Sequence, residues 1–170
     1  PQRVVFEEFF GEHDLARLSA LLEAQHASAL WILGDMLHGA LVDSHWRDAW
    51  EAFRARHAQL GIVVVAGNHD RSLARAGLAI EIEPAHRVDA PFVFAHRRER
   101  IESAVSISGH EHPVVRLPAL GGRVPCFRLG SDGIVLPAFS AFTGGHPVAA
   151  RERWIACVGG HLLPHPALAE

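Results

Sequence analysis

Four short stretches of this chain bring metal-ligating side chains to the ends of apolar runs. Asp35 closes "SALWILGD", and Asn68, His69 and Asp70 follow "GIVVVAG". His96 closes "PFVFAH", and His110 and His112 stand together in "SISGHEH". The donors are oxygen and imidazole with no thiolate, a set that suits Mn, Fe or Zn and argues against a structural zinc site. Taken singly, such a stretch is an ordinary turn, because Gly and Asn tolerate tight backbone geometry and Asp caps a following helix. Four of them supplying Asp, Asn, His and His-x-His are not ordinary. Ligands of open α/β folds collect at the carboxyl ends of strands. Two residues apart, His110 and His112 point the same way from an extended backbone. One strand end can then address two ions roughly 3.5–4 Å apart, the separation found in two-metal hydrolases.

The elements that must position these residues are readable from periodicity. "DLARLSALLEAQ" spaces Leu15, Leu18, Leu21 and Leu22 as one face of an amphipathic helix. "VDSHWRDAWEAFRARHAQL" is a second helix, capped by Asp43 or Ser44, with Trp46, Trp50, Phe53 and His57 along a core-facing stripe. "SALWILGD" and "GIVVVAGNHD" read as buried strands, and "RSLARAG" as a short helix. From there the chain becomes strand-rich. "LAIEIE", "PFVFAH", "AVSISGHEH", "PVVRL", "VPCFRLG", "GIVLPAF" and "RWIACVG" are short apolar runs broken by Gly, Pro or charge, many of them antiparallel in expectation. Strand–helix alternation followed by a strand-rich half predicts two sheets in a layered α/β sandwich with flanking helices. No repeat, linker or low-complexity tract divides residues 1–170, so one domain is expected.

Composition narrows the class. A chain of 170 residues, 49% hydrophobic, can bury a core of its own. Its formal net charge of −3 rules out a global positive field, so any polyanion must be met by a local patch or by metal ions. All 16 basic residues are Arg. Cys126 and Cys157 lie in apolar segments without metal-type spacing and read as reduced core residues, which fits a cytoplasmic protein. No run approaches the roughly 18 apolar residues of a membrane span, so no membrane partner is expected.

In order along the chain, "LGDMLH", Trp46-Arg47, "GNHDR", "PFVFAH", "GHEHP" and "LPAFSAFTGG" resemble the motif set of the calcineurin-like metallophosphoesterases. The resemblance is closest to one bacterial branch, the ligase-associated DNA damage response endonucleases (PdeM), and covers roughly residues 14 to 165. It implies a layered α/β/β/α sandwich, two mixed sheets flanked by helices. It also implies two divalent ions, Mn before Fe or Zn. Asp35 would bridge them, Asn68, His96 and His110 would complete the second ion's site, and His112 would serve the first. His69 would be the general acid beside the scissile phosphate, with Asp70 behind it, while a metal-bridging hydroxide attacks phosphorus. His38 is as readily a packed or capping residue as a site residue.

The family opens with a strand ending Asp-x-His, and nothing upstream of Asp35 matches it. His13, in "GEHD", reads as helix initiation. The domain is therefore expected to be incomplete at its N-terminus and to lack the first strand. The implied substrate is DNA, with a ligase, a helicase and an exonuclease as neighbours in function. Support within the chain is confined to "HRRER", where Arg97, Arg98 and Arg100 could meet flanking phosphates. A solvated turn balanced by Glu99 and Glu102 reads as well. A small or cyclic nucleotide diester is the alternative substrate. A non-catalytic scaffold on the same fold is the alternative from another class, and a homo-oligomer is open.

Overall fold

A computed structural model describes residues 2–6, 12–37, 44–140, 144–149 and 151–168. Among these residues two α-helices and thirteen strands follow in chain order. The first part comprises β1 (Arg3–Phe6), α1 (Glu12–Ala24), β2 (Ala29–Ile32), α2 (Ser44–Arg56), β3 (Gly61–Val65) and β4 (Glu81–Glu83). Its four strands form a parallel sheet in the order β1-β2-β3-β4. In β3 every residue after Gly61 is buried. That is what a β-branched run without polar alternation requires when both faces of a parallel strand are covered. Leu30, Ile32, Ile62 and Val64 pack with Leu15, Leu18, Trp50 and Phe53 on the helix side. Trp31, Leu33, Val63 and Val65 turn the other way, onto Phe94 and Leu136 of the second half.

That half comprises β5 (His86–Asp89), β6 (Phe92–Ala95), β7 (Val105–Ser108), β8 (Pro113–Leu117), β9 (Gly122–Leu129) and β10 (Gly133–Val135). It ends with β11 (His146–Pro147), β12 (Arg153–Val158) and β13 (His161–Pro164). The strands form a mixed sheet ordered β11-β8-β9-β10-β7-β6-β5, with β12 on β9 and β13 on β12. The expected sandwich of two sheets with flanking helices is present. The first sheet is wholly parallel, and α1 and α2 both pack on its outer face. "RSLARAG" makes only a 3-10 turn, Leu73–Arg75. Cys126 and Cys157 are free, and burial pushes the Cys126 thiol up to about 12. No described helix is long and apolar enough to cross a membrane.

One expectation is corrected. The fold does not lack a strand before α1, because β1 lies beside β2 in register from Arg3 on Ala29 to Phe6 on Ile32. Four residues with a charge at the first were too short a signal for sequence reading. Tertiary contacts hold the strand: Arg3 stacks 4.0 Å over the Trp31 ring and pairs with Asp89 at 2.5 Å. The late "LPAF" segment also finds a physical role. Phe139 packs against Phe6 at 5.0 Å between ring centroids, and Arg17 lies over its ring and donates to its carbonyl at 3.1 Å. The segment leaving β10 thus closes over the edge of the first sheet.

Candidate metal centre

β2, β3, β6 and β7 each release a polar residue at the carboxyl end. After β2 the chain turns through Gly34 at φ +95° and Asp35 at φ +51°. Only glycine fits at position 34, since a Cβ there would lie 2.1 Å from Nδ1 of His96. At Gly67 a Cβ would lie 2.2 Å from Oδ1 of Asp35. The two glycines let three loops approach closely enough for their side chains to meet.

Asp35 is 3% exposed and His96 4%. Oδ1 of Asp35 accepts the backbone N–H of His69 at 3.0 Å, and Oδ2 lies 3.6 Å from Nε2 of His96. Nδ1 of His96 is 2.9 Å from the Leu33 carbonyl. A carbonyl only accepts, so Nδ1 donates to Leu33 and Nε2 is the ring nitrogen left to ligate a metal ion. Facing Nε2 at 3.0 Å is Oδ1 of Asn68. The His110 ring packs edge-on to His96, centroids 4.7 Å apart. Ligand atoms of Asp35, His96 and His110 all lie within 4.8 Å of one another. Burial, then the neighbouring His96, Arg97 and His112, hold His110 below its usual pKa against the opposing pull of Asp35. Oxygen and imidazole atoms able to ligate a metal ion thus converge on one point. A divalent cation satisfies that arrangement, and the donor set suits Mn, Fe or Zn.

A known structure has the same architecture. The nuclease MPE of Pseudomonas putida is 30% identical, with a TM-score of 0.83, over 96% of this chain and 87% of that one. The chain belongs to the metallophosphoesterase family. The phosphoesterase YfcE from E. coli shares the fold at a TM-score of 0.57 and 16% identity, over 92% of this chain and 88% of that one. No family model matches the sequence, and no curated protein does.

The remaining expected residues of this metallophosphoesterase fall into different settings. His69 is exposed at the rim, one residue beyond Asn68. Asp70 is buried and spent on the backbone. It accepts from Leu37 N–H at 2.9 Å and from Gly67 N–H at 2.8 Å, bracing the Asp35 turn against the Asn68 turn. Burial raises its pKa, opposed by those two bonds. His112 lies near enough to act on His110 but is outside the group of three. His38 lies outside the described residues. The arginines of "HRRER" part company: Arg98 and Arg100 pair with Asp132 at 3.5 and 3.3 Å. Asp132 accepts from Ser106 N–H through its carbonyl, at the amino end of β7, whereas His110 follows the carboxyl end. Arg97 alone acts on His110. Sequence reading missed the Leu33 carbonyl, which orients His96 from 63 residues away.

Proposed function

We propose that this enzyme is a metal-dependent phosphodiester hydrolase that cuts DNA, in the service of repair. The observation that carries the reading is the convergence of Asp35, His96 and His110 within 4.8 Å, with Asn68 Oδ1 3.0 Å from His96 Nε2. Similarity to a nuclease supports the substrate class. Asp35, Asn68, His96 and His110 would hold one ion, and Asp35 with His112 would contribute to a second. Ions held there supply positive charge against the non-bridging phosphate oxygens, which otherwise repel an attacking nucleophile.

The chain's own groups do the rest. The His69 amide fixes the Asp35 carboxylate, and the Leu33 carbonyl fixes the ring of His96. The exposed His69 ring donates its proton to the departing deoxyribose oxygen, a general-acid role. Arg97 meets a phosphate beside the scissile one.

The test is hydrolysis of plasmid and linear DNA with added Mn²⁺, against EDTA and against His96→Ala. Cleavage that needs Mn²⁺ and is lost in His96→Ala is expected. Hydrolysis of cyclic nucleotides with DNA left intact would overturn the DNA assignment while keeping the hydrolase. Metal binding without hydrolysis of any diester would favour a scaffold.

A further inference from the structure

His110 and His112 both sit in the left-handed backbone region, at φ +66° and +45°. For a residue with a Cβ this backbone conformation is strained. Such strain persists only where the surroundings over-determine it. Within the turn, Glu111 N–H donates to the Gly109 carbonyl at 2.8 Å. The other restraints come from outside. Arg128 on β9 grips the Glu111 carboxylate with both arms of its guanidinium, Nη1 to Oε2 at 2.9 Å and Nη2 to Oε1 at 3.1 Å. His146 on β11 donates its backbone N–H to the His112 carbonyl at 3.1 Å, and its ring Nδ1 lies 3.1 Å from the Glu111 carbonyl. The Arg128 side chain is only 14% exposed, and Glu152 also lies 3.5 Å from it. A two-point Arg–carboxylate contact is geometrically specific, and here the guanidinium is the sheltered partner while Glu111 is 38% exposed.

We propose that Arg128 is a positioning residue for the metal centre. Through Glu111 it locks the turn between Gly109 and Pro113 in the form that aims His110 and His112 at the ions. The proposal rests on the reading of those two histidines as ligands. Arg128 itself touches neither ion nor substrate.

The experiment measures Mn²⁺ affinity from the EPR signal of free Mn²⁺, and the visible absorption of the Co²⁺-loaded protein. Arg128→Met should bind Mn²⁺ about 10–100-fold more weakly, the usual cost of losing a group that orients a ligand. Its Co²⁺ spectrum should change in intensity as donor geometry relaxes. Arg128→Lys keeps the charge without the fork, and Glu111→Gln keeps the shape without the charge, so both should fall between. Arg123→Met, exposed on the same strand, should match the wild type. A folded Arg128→Met with wild-type affinity and spectrum overturns the proposal. Should Arg128→Met fail to fold, Glu111→Gln at its partly exposed position decides: weakened binding supports the proposal, and unchanged binding overturns it. A wild-type protein that binds no Mn²⁺ refutes the ligand reading instead, which keeps the two failures apart.

Discussion

Oδ1 of Asn68 and Nε2 of His96, two atoms able to ligate a metal ion, lie 3.0 Å apart, with Nδ1 of His96 turned away to donate to the Leu33 carbonyl. Asp35 Oδ2, at 3.6 Å from the same nitrogen, adds a third. A divalent cation placed among them would be held by all three once Nε2 is unprotonated. The metallophosphoesterase fold assembles this arrangement from three strand ends.

Asn68→Ala removes one of these ligand atoms and its contact with His96, and leaves the core packing untouched, since Asn68 is exposed. Mn²⁺ affinity should fall by at least the roughly 10–100-fold that loss of a ligand-orienting group costs. Activity should return in part at high Mn²⁺. Titrating turnover against Mn²⁺ checks both; a loss that no concentration restores would show that Asn68 acts on substrate.

Gly34 makes a sharper structural prediction. A methyl at position 34 would stand 2.1 Å from His96 Nδ1, on a backbone at φ +95°. Gly34→Ala should therefore displace the His96 ring, weaken Mn²⁺ binding and lower stability by more than the roughly 1–3 kcal/mol of backbone strain alone. Gly61→Ala is the control, its nearest neighbour being 3.8 Å away. Urea unfolding and Mn²⁺ titration of the two variants measure the difference. Equal stabilities would mean that the turn has room to adjust.

The turns that carry the candidate site were legible because each is a local signal, a polar residue closing an apolar strand. Asp35, Asn68, His96 and His110 stand close together at the points where the chain breaks its apolar runs. What long-range contacts determine was not legible. β1 is held by Arg3 on Trp31, 28 positions away, and its four residues carry no pattern of their own. The role of Phe139 depends on Phe6 and Arg17. Asp70 read as a partner for His69, but the amides it accepts from belong to a turn 33 residues earlier as well as to its own. "HRRER" read as well as a phosphate-binding loop as a solvated turn, and no local signal pointed to Asp132, which engages two of its arginines.

That division predicts how DNA binding responds to salt. Arg97→Ala should flatten the dependence of log affinity on log salt by about one phosphate contact. Arg100→Ala should leave the slope nearly unchanged, because its guanidinium is engaged by Asp132. Fluorescence anisotropy of a labelled duplex across a salt series, in Ca²⁺ to prevent cleavage, gives both slopes. Equal slopes for wild type and Arg97→Ala would return Arg97 to the solvated turn.

His69 tests the proposed chemistry most directly. Its backbone N–H holds Asp35 at 3.0 Å, and that bond survives truncation of the side chain. His69→Ala should therefore bind Mn²⁺ as the wild type does and lose turnover only. General acid catalysis is worth about 10²–10⁴-fold, provided that the leaving group needs the proton. A deoxyribose alkoxide needs it, whereas a nitrophenolate departs readily without it. The variant should thus lose far more activity on DNA than on bis(p-nitrophenyl) phosphate, with both measured at saturating Mn²⁺ and metal content assayed independently. Equal losses on the two substrates would mean that the ring positions the phosphate and does not protonate the leaving oxygen.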